Sequence, residues 1–435
     1  MIIQGKFTTA VIHTENVEDA AIEQIQQITD SPAFEGQSVH YMPDVHAGHG
    51  CTVGFAATLG NYINPSHIGG DIGCAVSHMR IVGKLPAEKY AEFEHKVRNA
   101  VPYDLQKKPV IDEKEFFKFM TRQFNKMKQQ WPEHLDALPN QVTERWVSDQ
   151  LKRLNMDKAT FYKQLGTYSS AVSNHFIEYG EAENVSFIDM PWYNRKTAPK
   201  EDGYWYDSEY VGPDPEAYRQ NLPFIAGITV HTGSRNFGQK VCRRWESVAQ
   251  RSKEIPGYLT SKELDGYLCD MCFAQAYAYY NHITIHDLIK DILKKYKIRT
   301  VPIVFCPHNY IDMKQHIIHK GSISALNTET LIIPFNMRDG VAICVGKNNP
   351  EWNFSAPHGA GRLMSRNQAR KNISIDEYTA TMSDVYSTSV CEATIDESPM
   401  AYKPTDEIKR LIEPTVDIMY MLPSKISIKA TKPEH

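Results

Sequence analysis

Ser355-Ala356-Pro357-His358-Gly359-Ala360-Gly361-Arg362 is the stretch around which the rest of the chain is organised. A histidine precedes three small residues that let a backbone or a phosphate come close, and an arginine follows whose planar fork suits phosphate oxygens. That pattern reads as a nucleotide site. Spacing alone leaves the histidine three roles, as general base, metal ligand or nucleophile, and a single Gly-Ala-Gly is a weak signal. The rest of the chain has to decide.

Upstream, a strand-like run at 225–230 delivers His231-Thr232-Gly233-Ser234-Arg235 at its C-terminal end, and another at 301–305 runs into Cys306-Pro307-His308-Asn309. In α/β proteins ligand-binding groups gather at such ends. Residues 166–180 hold a further polar cluster with Asn174, His175 and Glu178. Residues 41–77 are crowded with glycine, histidine and acid, including Asp44, His46, His49, His67, Asp71 and Cys74. Too glycine-rich for a helix and too apolar for a solvated linker, they read as buried loops and short strands whose polar groups must be paired. Asp71-Ile72-Gly73-Cys74 brings a carboxylate and a thiol together around a glycine, a pair that suits Mn²⁺, Fe²⁺ or Zn²⁺ better than Mg²⁺ or Ca²⁺. Taken alone, the fragment is equally well read as a buried cysteine beside a turn aspartate. With His175, His231 and His308 it becomes an oxygen, nitrogen and sulfur set sufficient for one or two transition-metal ions.

Composition narrows the classes. With 435 residues, 42% hydrophobic and 23% charged, the chain has the make-up of a globular protein with a large core, and length alone points to two or three domains. The net charge of −4 is neutral on nucleic acid, since a basic groove can sit on a weakly acidic protein. No apolar run reaches the length of a membrane span and the first residues do not resemble a signal sequence, so the expectation is a cytoplasmic protein. Eight scattered cysteines do not form a disulfide framework. Residues 86–165 read as charged helices with Phe116, Phe117, Phe119, Met120, Phe124 and Met127 on one buried face, a cover or partner surface without chemistry. The Trp- and Tyr-rich stretch 191–223 reads as an exposed loop or small insertion. A long helix over 258–296 contains Cys269-Asp270-Met271-Cys272, which reads as core packing. The strand-like tail Ile426-Ser427-Ile428-Lys429 either completes a pocket or lies in solvent.

Taken in order, Asp44-Val45-His46, Asp71-x-x-Cys74, Asn174-His175-x-x-Glu178, His231-x-Gly233-Ser234-Arg235, His308-Asn309 and His358-Gly359-Ala360-Gly361-Arg362 resemble the RtcB family of RNA ligases. The resemblance runs from about residue 40 to the C-terminus. It implies an α+β fold in which mixed sheets form a central metal and nucleotide cleft surrounded by helices, in one catalytic domain over 1–435, with 86–165 and 191–223 as insertions or covers. It further implies that His358 attacks GTP to form a covalent histidine–GMP, and that Asp71, Cys74, His175, His231 and His308 hold a pair of Mn²⁺ ions sharing the Cys74 thiolate. The guanylate pocket implied is Asn174, Phe176, Glu178, Asn309, Gly359, Ala360, Gly361, Tyr402 and Lys429. In it Glu178 accepts from guanine N1 and N2 and Lys429 donates to O6. Arg235, Arg362 and Arg366 are the implied contacts for RNA end phosphates, and Asp44 supports a metal, a water or a ribose hydroxyl. The implied substrates are RNA 3′-phosphate or 2′,3′-cyclic phosphate ends and 5′-hydroxyl ends, with an archease-like activator as a further partner.

The chain departs from the family at Asn336-Met337-Arg338-Asp339-Gly340, where typical members carry a Ser-Met-Gly-Thr-type loop against the nucleotide. Two other readings use the same residues: a metal-dependent phosphodiesterase that never ligates, and a noncatalytic protein that binds RNA ends.

Overall fold

A computed structural model describes residues 1–169, 174–185, 222–327 and 329–430. Helices and sheets are intermingled along the chain, an α+β architecture. The sheet that matters most has five antiparallel strands in the order Arg299–Pro307, Ala75–Val82, Leu222–Thr232, Phe176–Val185 and Ser424–Lys429. Because neighbours alternate in direction, the starts of some strands and the ends of others share one edge. Cys74 precedes the second strand, His175 precedes the fourth, His231 lies near the end of the third, and His308 follows the first. Register confirms the alignment, with His231 opposite both Val76 and Phe176, and Lys429 opposite Phe176. Four candidate metal ligands and the tail lysine thus meet at one end of one sheet.

A six-stranded mixed sheet supplies the facing wall. Its third strand, Val39–His46, carries Asp44, and its last, Asn309–Asp312, continues directly from His308. A short pair, Ser322–Ser324 with Ser355–Pro357, ends with Pro357 opposite Ser322 and so delivers His358 beside that wall. The hairpin Thr330–Asn336 and Gly340–Gly346 turns through the departing loop, where the Asn336 carboxamide accepts from the N–H groups of Arg338 (3.0 Å) and Asp339 (2.9 Å).

The long helix Ser261–Lys294 forms the spine of the core. Its middle, from Tyr267 to His286, is buried on nearly all sides, and the polar groups it carries there, such as Asn281 and His282, are hydrogen-bonded. Cys269 and Cys272 lie buried on it, and burial pushes the Cys269 thiol up to about 12. The expected helices of 86–165 are present, among them Tyr90–Ala100 and Glu113–Gln130. The latter buries Phe116, Phe119, Met120, Phe124 and Met127 but only half-buries Phe117. This face shares one core with the long helix: the Phe124 ring meets Phe273 edge-on at 5.9 Å. Near the N-terminus, strand Thr9–Ile12 is followed by helix Asp19–Thr29. Helix Thr405–Ile412 lies near the C-terminal end of the described residues. The stretch 191–223 lies outside the described residues apart from its last two positions. No helix among the described residues is long and apolar enough to cross a membrane.

Candidate active site

A cavity of about 780 Å³ opens where the sheet ends meet. Every residue expected at the site lines it except Asp44, His175 and Arg235. At its floor Cys74 Sγ lies 3.3 Å from Nε2 of both His175 and His231, and His231 Nε2 lies 3.3 Å from His308 Nε2. Asp71 Oδ2 is 2.9 Å from His175 Nε2. Loss of water on burial drives His231 and His308 well below the usual imidazole range, so both are neutral. Burial, reinforced by the Asp71 carboxylate, pushes the Cys74 thiol up. Cys74, His175 and His231 thus offer three buried ligand atoms close enough together to hold one cation. The donor set of carboxylate, thiol and imidazoles fits Mn²⁺, Zn²⁺ or Fe²⁺, whose binding would strip the thiol proton. Gly233 belongs to this arrangement: a Cβ there would lie 2.2 Å from Asp71 Oδ1.

His358 stands beside the floor, its ring centroid 4.7 Å from that of His308. Its Nδ1 lies 2.6 Å from Oδ2 of the fully buried Asp44. An ionised carboxylate only accepts, so the contact assigns the proton to Nδ1 and leaves the lone pair on Nε2. Gly361 makes this proximity possible, since it adopts φ +71° and a Cβ on it would lie 2.7 Å from Asp44 Cα.

The other end of the cavity is built by the strand pair Phe176–Val185 and Ser424–Lys429. Lys429 Nζ sits 5.5 Å from the Phe176 ring centre, and Ser427 donates to Glu178 Oε1 at 3.0 Å. Burial pushes the Glu178 carboxyl up to about 7 against the opposing pull of Lys429. A second carboxylate, Glu397, has the contrary setting. Burial would raise it, but Lys429 and Arg366 overcome that and hold it at about 2. Glu397 Oε2 accepts from Lys429 Nζ (2.5 Å) and Tyr402 Oη (2.8 Å), and its Oε1 forms an ion pair with Arg366 Nη1 (2.8 Å). Asp396 beside it binds Arg366 (2.5 Å) and Arg370 (3.0 Å), so the arginine row is anchored from behind.

Two of these groups escape sequence reasoning. Glu397 has one local sign, a carboxylate pair just upstream of Tyr402. Lys320 lines the cavity and donates to the carbonyls of His49 (2.7 Å) and Ser66 (2.8 Å); it ends a strand immediately before Gly321. Arg235 is displaced from its expected place. With φ +60° at the head of its helix it is 6% exposed, and its guanidinium donates to Thr167 Oγ1 (3.2 Å) and the Tyr103 carbonyl (3.0 Å). The fork that was to meet phosphate instead ties the buried Thr167 segment to the half-buried backbone at Tyr103.

Residues 24–429 match the family described as tRNA-splicing ligase RtcB. RNA-splicing ligase RtcB of Escherichia coli K12 is 26% identical over 446 residues, covering 95% of this chain and 95% of that protein. The tRNA-splicing ligases RtcB of Pyrobaculum aerophilum and Aeropyrum pernix are 22% and 23% identical, covering 92% and 85% of this chain and 89% and 83% of their own lengths. The family match takes in every strand that feeds the cavity as well as His358 and Lys429, and the chain belongs to the RtcB family.

Proposed function

We propose that this protein is a GTP-dependent RNA ligase that joins a 3′-phosphate or 2′,3′-cyclic phosphate end to a 5′-hydroxyl end through a guanylate carried on His358. The observation that carries the reading is the 2.6 Å contact between His358 Nδ1 and buried Asp44. A carboxylate that holds one imidazole nitrogen frees the other as a nucleophile and stabilises the positive charge the ring gains on attack.

His358 Nε2 attacks the α-phosphorus of GTP, a P–N bond forms, and the bond to pyrophosphate breaks. An oxygen of the RNA 3′-phosphate attacks the guanylate phosphorus, and His358 leaves as a neutral imidazole. A cyclic end first gains water across one ester bond. The oxygen of the 5′-hydroxyl then attacks the activated 3′-phosphate, its proton passes to solvent, and the bond to GMP breaks. Asp71, Cys74, His175, His231 and His308 would hold Mn²⁺ ions, which neutralise phosphate charge when bound. Phe176 packs on the base, Glu178 accepts from N1 and N2, and Lys429 donates to O6, an arrangement that adenine reverses. Asn174, Asn309 and Tyr402 complete the pocket; Arg362 and Arg366 line the cavity, and to meet an RNA end phosphate Arg362 exchanges its bonds to the Met364 and Asp396 carbonyls and Arg366 its contacts with the Asp396 and Glu397 carboxylates.

The test is incubation with Mn²⁺ and α-phosphate-labelled GTP or ATP, followed by denaturing separation. Label retained from GTP, lost in acid and absent from His358→Ala supports the reading. No label in protein that holds its metal overturns it and favours a phosphodiesterase that never ligates.

A further inference from the structure

Lys429 ends the outermost strand of the five-stranded sheet, an edge that no other strand of that sheet covers among the described residues. Its outward backbone atoms are nonetheless satisfied. The Lys429 N–H donates to Ser389 Oγ at 2.8 Å, and its carbonyl accepts from Ser389 Oγ at 3.2 Å and from Arg98 Nη1 at 3.1 Å. Arg98 Nη2 also donates to Ser389 Oγ at 2.7 Å, so the hydroxyl uses its one donor and both acceptor positions. Arg98 is in turn gripped by Glu94 one turn earlier on helix Tyr90–Ala100, through Nε at 2.9 Å and Nη2 at 2.6 Å. Glu94 is only 1% exposed and accepts a further bond from Thr388 Oγ1 at 2.7 Å.

An exposed i,i+4 pair contributes little. This one is buried at its acid and ends on the backbone of a cavity residue from a distant part of the chain. We propose that Arg98, braced by Glu94, is a positioning residue for Lys429 and thereby helps set which base the cavity accepts. The inference rests on the reading of the cavity as a guanylate site. A lysine ammonium sits on a flexible four-carbon stem, and its aim depends on how firmly the backbone beneath it is held. Glu397 fixes the far end of the side chain and the Glu94–Arg98–Ser389 brace fixes the near end. Helix Tyr90–Ala100, which on sequence has no chemistry, serves the base pocket in this way.

The experiment compares self-labelling kinetics with GTP and with 2-aminopurine riboside triphosphate, which lacks O6, in Arg98→Ala, Arg98→Lys, Glu94→Gln and, as reference, Lys429→Ala. Losing the aim of one charged hydrogen bond raises KM for GTP roughly tenfold in Arg98→Ala. In the same variant kcat stays within about twofold and KM for the analogue is nearly unchanged. Arg98→Lys restores part of the loss and Glu94→Gln falls between. Equal KM changes for both nucleotides overturn the proposal, as does a crystal structure of Arg98→Ala, or of Glu94→Gln if the former does not fold, with Lys429 unmoved. If Lys429→Ala itself uses both nucleotides as the wild type does, the guanylate reading fails. The position of Lys429 in the Arg98→Ala crystal still decides the brace.

Discussion

Asp44→Asn isolates the contact on which the proposed chemistry depends. Asp44 is fully buried and its Oδ2 lies 2.6 Å from His358 Nδ1. Asparagine keeps the shape and removes the charge. If its carbonyl faces the ring, a charge-assisted bond becomes a neutral one and the cation formed on attack loses its counter-ion. If its amide faces the ring, it donates to Nδ1 and forces the proton onto Nε2, the nitrogen the reaction uses. The first outcome loses about 2 kcal/mol and the second up to about 4, so the barrier to adduct formation rises by about 2–4 kcal/mol. That is a rate some 30- to 1,000-fold lower at roughly 1.4 kcal/mol per tenfold. Folding suffers far less, because Asp44 Oδ1 is buried without a hydrogen-bond partner among the described residues, and a neutral side chain is less costly there. Single-turnover labelling with α-phosphate-labelled GTP, alongside a melting curve, measures both. Asp44→Asn labelled at the wild-type rate would refute the assignment of Asp44 as the group that orients the nucleophile.

Cys74→Ala removes the sulfur that lies 3.3 Å from two imidazoles, and bound metal measured by mass spectrometry is expected to fall by about half or more; full occupancy would remove the basis for a thiolate-centred site. Glu178→Gln tests the carboxyl that burial lifts to about 7. Between the unfolded carboxyl range and pH 7 the folded protein holds a proton that the unfolded chain has lost. Wild-type stability therefore declines across that window, by up to about 3 kcal/mol, and the variant's melting temperature gains on the wild type as pH rises toward 7. A constant difference between the two across pH 5–8 would count against a raised Glu178. Phe124→Ala opens the core that joins residues 86–165 to the long helix and is expected to cost about 3–5 kcal/mol, a fall of several degrees in melting temperature; an unchanged melting curve would make that segment a dispensable cover.

Features that depend on local periodicity are legible in the sequence, and features that depend on strand pairing are legible only where chemistry marks them. Thr405–Ile412 and Ser261–Lys294 announce themselves by their apolar spacing. Cys74, His175, His231 and His308 lie far apart in the chain, yet each sits at a strand boundary beside glycine, proline or a polar turn. Antiparallel order then brings those boundaries to one edge. Arg235 shows the limit of such reasoning, because its neighbours His231 and Gly233 carry the same signature while its own guanidinium turns inward to Thr167 and Tyr103. Nothing in a run of residues says on which side of the backbone a long side chain will find its acceptor. Glu397 and Arg98 are harder still. Glu397 matters because Tyr402, Arg366 and Lys429 converge on it, and Arg98 because the sheet ends at Lys429 and leaves an N–H and a carbonyl to be met from outside. Unpaired backbone at a sheet edge demands partners wherever it is buried, and the demand is answered by whichever element packs there. The groups that hold a site in register are therefore assigned by topology, and in this protein they come from a helix whose own sequence speaks only of charge and packing.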